Sequence, residues 1–153
     1  MTERRRRVIL YYQQQPTFAK VKRWAHRSVD LIAASDLATL DATLRLYSQI
    51  DAVVAERSSV DDASLDVLRA AVARRPATPR VMLVEQEAMA GVCEALHEKL
   101  ITHLMFLPIN LDELSRSTGV IPSTQIIMEP LPRRRQPPLT GGISASSSSS
   151  FRA

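Results

Sequence analysis

Cysteine is nearly absent from this chain: Cys93 stands alone among 153 residues. An internal disulfide is therefore excluded, packing and hydrogen bonding must hold the fold, and the expected setting is a reducing cytoplasm. Long apolar runs are missing too. None approaches the roughly 20 residues of a membrane-spanning helix, and no signal-peptide pattern is present. His26, His97 and His103 are scattered, without a cysteine or carboxylate at metal-ligand spacing, so surface or internally satisfied histidines are expected and no metal site. No glycine-rich loop follows the first apolar run, which argues against a P-loop or a dinucleotide cofactor.

What is present is ordinary for one soluble domain: 45% hydrophobic and 24% charged residues, with length for one real core. The net charge of +4 is placed unevenly. Arg4, Arg5, Arg6 and Arg7 cluster before the first apolar run, and Arg133, Arg134 and Arg135 form a second cluster near the other end. Such clusters suit phosphates, as in nucleic-acid contacts, and equally serve as solubilising flanks.

Short, almost wholly apolar runs alternate with amphipathic segments from Val8 to about Ser117. The strand candidates are Val8–Tyr12, Val29–Ala33, Ala52–Ala55, Val81–Val84 and Leu104–Leu107. Runs of this kind fit strands buried on both faces of a parallel sheet. Between them, helical spacing places Phe18, Val21, Trp24 and Ala25 on one face, then Leu37, Leu40, Leu44 and Tyr47, then Leu65, Leu68 and Val72. Met89, Cys93, Leu96 and Leu100 make a fourth stripe, and Leu111–Ser117 a short fifth helix that Gly119 stops. Asp61, Asp62 and Ser64 precede the third helix and read as caps. Five βα units predict a doubly wound five-stranded parallel sheet, whose chemistry lies outside the carboxyl ends of the strands. From Pro130 the stretch PLPRRRQPPLTGGISASSSSSFRA offers almost nothing to bury and is expected to be disordered. The division expected is a basic flank 1–7, a domain 8–119, and an extension and tail 120–153.

The strand ends, read as a set, carry a resemblance. RVILYYQQQP ends in polar residues and a proline; IDAVVAERSS, RVMLVEQ and LMFLPINLDEL supply the third, fourth and fifth strand ends. In order and spacing, residues 7–117 resemble the receiver domain of bacterial two-component response regulators. That resemblance implies a flavodoxin-like (βα)5 fold with strand order 2-1-3-4-5 and a place in phosphorelay signalling. It also implies where phosphotransfer residues should stand: an acidic pair for Mg²⁺, a nucleophilic aspartate, a hydroxyl and a lysine. This chain has Gln13 and Gln14 at the acidic pair, Glu56 at the phosphoacceptor, Glu85 at the hydroxyl and Leu107 at the lysine. Pro108 is kept after it, and Leu104 stands at the aromatic switch position. Each change removes a requirement of phosphotransfer, so the resemblance is to a degenerate member, a pseudo-receiver, neither enzyme nor phosphoacceptor.

Two roles for Glu56 follow: a fixed charge imitating a phosphorylated aspartate, or a solvated carboxylate paired with Arg57, the preferred expectation. The function expected is a phosphorylation-independent adaptor or regulator that binds a protein. The face that receivers use for docking and dimerisation puts forward Leu96, Leu100, Leu104, Phe106, Leu111 and Leu114. A second function is a DNA-associated regulator, using the arginine clusters and LDELSRSTGVIPSTQIIM, residues 111–128, which resembles a helix–turn–helix.

Overall fold

The computed structural model describes residues 5–120. Its strands are β1 (Arg6–Tyr11), β2 (Val29–Ala34), β3 (Ala52–Arg57), β4 (Arg80–Val84) and β5 (His103–Phe106). The helices are α1 (Gln15–Ala25), α2 (Leu37–Leu46), α3 (Ala63–Arg74), α4 (Val92–His97) and α5 (Leu111–Thr118). All neighbouring strands pair in parallel, in the order β2-β1-β3-β4-β5. Arg4, the residues from 121 on, and with them Arg133, Arg134, Arg135 and the second half of the 111–128 stretch, lie outside the described residues.

Alternation along the strands builds two cores. Ile9, Val53, Ala55 and Met82 face α2 and α3, packing against Leu40, Leu44, Leu65 and Leu68. Val8, Leu10, Val54 and Leu83 face the other way, toward Val21 and Trp24 of α1 and Leu114 of α5. Trp24 is buried there, and its indole N–H donates to Ser115 Oγ at 2.9 Å. Phe18 is half-buried and stacks on Tyr12, 4.9 Å between ring centroids.

Several boundaries move. β1 begins at Arg6, so Arg6 and Arg7 belong to the sheet and not to a flank. Arg7 Nε donates to Asp30 at 2.9 Å, its backbone N–H donates to Asp51 at 2.8 Å, and its guanidinium lies 4.1 Å over the Tyr47 ring. β3 runs on through Glu56 and Arg57, two residues further than its apolar run. The fourth helix is shorter than its stripe. Gly91 at φ +86° opens it and Lys99 at φ +63° follows it, so Val92 and Ala95 form the buried face while Cys93 and Leu96 are exposed. Gly119 at φ +72° ends α5 as expected, its N–H donating to the Ser115 carbonyl.

At the amino rim, Arg80 is buried and donates to the carbonyls of Leu100, Lys99, Pro76 and Thr78. Burial pushes its guanidinium below the ordinary value.

Candidate functional site

The carboxyl ends of β1, β3, β4 and β5 meet at one rim, and Glu56 lies beneath it. The side chain is fully buried. Its Oε1 accepts the backbone N–H of Gln13 at 2.7 Å and of Gln14 at 3.0 Å, and Oε2 accepts the hydroxyl of Thr17 at 2.7 Å. Both oxygens therefore hold the turn from β1 into the first turn of α1, where helical N–H groups have no partner of their own. The expected pairing with Arg57 does not occur. Consecutive residues of a strand point to opposite faces, so Glu56 reaches toward α1 while Arg57 leaves on the other side. The expectation of a solvated carboxylate is overturned by the same geometry.

Arg57 is almost fully buried, and among the described residues its guanidinium pairs with carbonyls and a hydroxyl, not with a carboxylate. Its Nε donates to the Ala88 carbonyl at 2.8 Å, Nη2 to the Ala90 carbonyl at 2.7 Å, and Nη1 to the Asp61 carbonyl and to Ser64 Oγ at 3.1 Å. One guanidinium thus ties the loop after β3 to the loop after β4. Of the residues before α3, Asp61 Oδ1 accepts the Ala63 N–H at 3.1 Å, Asp62 makes no side-chain cap, and Ser64 is buried under Arg57.

The two glutamines differ. Gln13 Oε1 accepts from the Ser58 N–H at 2.8 Å and the Ser58 hydroxyl at 2.7 Å, and its Nε2 donates to Tyr11 Oη at 3.3 Å. It fastens the end of β1 to the residue after β3 with both ends of one amide, which two like-charged carboxylates could not do. Gln14 is the N-cap residue of α1, exposed, with no side-chain cap bond. Glu85 and Leu107 are half-buried and their backbone N–H groups donate to the carbonyls of Arg57 and Val84. A cleft of about 220 Å³ lies between them and α1, lined also by Thr17, Lys20 and Pro108.

Mg²⁺, which the fold implies here, needs several hard oxygens, carboxylates foremost, with free lone pairs. These residues do not fit it. Both Glu56 oxygens and Gln13 Oε1 are already engaged inside the protein, and Gln14 is neutral. Among the described residues no three of His, Cys, Asp and Glu gather to hold a metal ion. His26 and His97 are exposed, and His103 lies 3.4 Å from Glu113.

Of the docking candidates, Phe106 is 53% and Leu96 43% exposed. Leu100 and Leu114 are buried in the core, and Leu104 and Leu111 are half-buried. Leu100 is buried because α4 ends before it, and Leu114 because α5 turns that face onto the sheet. Thr17 and Ser58 escaped the sequence reading, and Ser64, read there as a cap, accepts from Arg57 instead. Thr17 had a signal, a hydroxyl in the first turn of the helix that follows β1.

No family model matches the chain, and no curated protein matches it in sequence. Solved structures do match. A signal receiver domain of an HD domain-containing protein from Pseudomonas fluorescens is 17% identical, with a TM-score of 0.66 over 86% of this chain and 97% of that one. A receiver domain of a sensor histidine kinase from Pseudomonas aeruginosa, with magnesium coordinated in its active-site cleft, is 13% identical, with a TM-score of 0.61 over 76% and 99%. An adenylate cyclase structure from Rhodopirellula baltica is 12% identical, with a TM-score of 0.66 over 75% and 85%. At these identities the likeness is one of architecture. With five parallel strands in the order 2-1-3-4-5 and helices on both faces, the chain has the fold of the response-regulator receiver domains.

Proposed function

We propose that this chain is a pseudo-receiver, a signalling module that performs no phosphoryl chemistry and acts in the cytoplasm by docking on a protein partner. The observation that carries the reading is the closed carboxylate. Glu56, at the phosphoacceptor position, is fully buried with both oxygens holding the β1–α1 turn. A nucleophile needs a free lone pair aimed at the phosphorus and charge compensation around the new dianion. Both Glu56 oxygens are buried and turned into the β1–α1 turn, away from any incoming phosphorus, Glu85 adds negative charge where a hydroxyl would donate, and Leu107 supplies no cation. A buried carboxylate also shows a partner no charge, so imitation of a phosphorylated aspartate is not part of the reading.

Incubating the protein with acetyl phosphate and Mg²⁺, and separately with beryllofluoride and Mg²⁺, tests this. The expected result is an unchanged intact mass and unchanged amide spectra at Gln13, Glu56 and Glu85. A phosphoryl adduct on Glu56 would overturn it. Docking through the α4–β5–α5 face narrows to the exposed Leu96 and Phe106. A homodimer through this face predicts that a Leu96→Glu, Phe106→Glu double variant sediments as a monomer where the parent does not. The alternative, association with nucleic acid through Arg133–Arg135, predicts binding that weakens steeply with salt and disappears when those three are neutralised.

A further inference from the structure

The opposite edge of the sheet carries a different kind of surface. β2 is an edge strand, six residues long, in unbroken register with β1 from Arg6↔Val29 to Tyr11↔Ala34. The Ala34 carbonyl accepts from the Tyr12 N–H, so the backbone groups of Asp30, Ile32 and Ala34 face β1. Those of Val29, Leu31 and Ala33 therefore face outward, because the two groups of one residue point to the same side and sides alternate along a strand. Edge strands are normally blunted by lysine, proline, a bulge or brevity. β2 (VDLIAA) has none of these, and its single charge, Asp30, is held by Arg7 Nε at 2.9 Å. The other edge, β5, is only four residues long and runs into Leu107 and Pro108.

A groove of about 390 Å³ runs between this edge and α1, with Phe18, Ala25, Leu31 and Ala33 as its apolar floor and Lys22 and His26 on its wall. Arg5 adds its guanidinium at the amino end, where Nη2 donates to the outward Val29 carbonyl at 3.3 Å. Of the cations of α1, Lys22 lines this groove while Lys20 lines the rim cleft; no carboxylate occurs between Gln13 and Val29, and Asp30, which also lines the groove, is held by Arg7.

We propose that this groove takes an extended acidic segment of a partner protein, which adds to β2 as a sixth strand. With the Val29 carbonyl taken by Arg5, the outward backbone groups of Leu31 and Ala33 supply hydrogen bonds that another polypeptide backbone can return, and the cations favour glutamate or aspartate at alternate positions. This choice of partner rests on the reading of the chain as an interaction module; it does not depend on Glu56 being closed to phosphate.

Titrating the full chain with a fluorescein-labelled octapeptide alternating Glu and Val tests it. Saturable binding is expected, with slowed hydrogen exchange at the Leu31 and Ala33 amides. The Lys-Val counterpart should bind at least about tenfold more weakly. Of two versions N-methylated on odd or on even residues, one should lose at least about tenfold. Lys22→Glu should weaken the Glu-Val peptide about fivefold at low salt and less at high salt. Absence of saturable binding would overturn the proposal, as would binding indifferent to either N-methylation pattern. An oligodeoxythymidine that matches the peptide in affinity while leaving Leu31 and Ala33 unprotected would also overturn it, because charge alone would then explain the groove. The phosphoryl-donor experiment and this titration read different residues, so either can fail without the other.

Discussion

At the scale of single residues, Glu56 and Arg57 perform two fastening tasks from adjacent positions. Glu56→Gln keeps the shape but replaces charge-assisted acceptors by a neutral amide and reverses the bond with Thr17, and it is expected to cost about 1–3 kcal/mol in urea unfolding. Partner binding below the transition should be unaltered, because the carboxylate never reaches the surface. Thr17→Val, which removes one donor and leaves Oε2 short of a partner, should cost about 1 kcal/mol. Arg57→Met strands the carbonyls of Ala88, Ala90 and Asp61 together and should cost about 3 kcal/mol. Arg57→Lys should recover only part of that, since an ammonium cannot span three carbonyls as a planar fork does. None of this was legible in the sequence, because β3 was expected to end at Ala55. Once the strand continues two residues, alternation alone sends the neighbours to opposite faces.

Among the elements, α2 and α3 are joined by apolar packing and by charge. Leu40 and Leu44 pack with Leu65 and Leu68, and Leu68→Ala should lower stability by about 2–5 kcal/mol. Asp41 bridges the two helices, accepting from Arg74 Nε at 2.8 Å and lying 2.9 Å from Arg45. The hydrogen bond from Arg74 holds its carboxyl below the ordinary 3.8; burial opposes this, and the charges of Arg74 and Arg45 add to the lowering. Asp36, the N-cap of α2, is lowered likewise by the Thr39 N–H. In both, the folded state binds protons less readily than the unfolded chain. Their contribution is therefore complete above about pH 4 and is lost as pH falls through and below that value. Asp41→Asn should flatten the acid side of the stability profile, and salt should do the same for this exposed pair. At α5, Asn110 Oδ1 accepts the Glu113 N–H at 3.0 Å, so Asn110→Ala should cost about 1 kcal/mol in thermal or urea unfolding.

For the whole molecule, five apolar runs separated by helical stripes were enough to read a parallel doubly wound sheet, because burial on both faces leaves little room for another pattern. The α4 stripe misled because Gly91 and Lys99, both at positive φ, shorten the helix, and no apolar spacing encodes that. Which leucines reach the surface is decided the same way: Leu96 and Leu100 share a period, yet one lies within the helix and exposed, the other beyond it and buried. The rim was half legible, since the residue types declared what it lacks but not that Gln13 and Glu56 would close it from inside. One further consequence belongs to Trp24, the chain's single tryptophan, shut between α1 and α5 and bound to Ser115. Its emission is a built-in gauge of whether α5 stays seated: a red shift reports that helix lifting away, with no dye or label added.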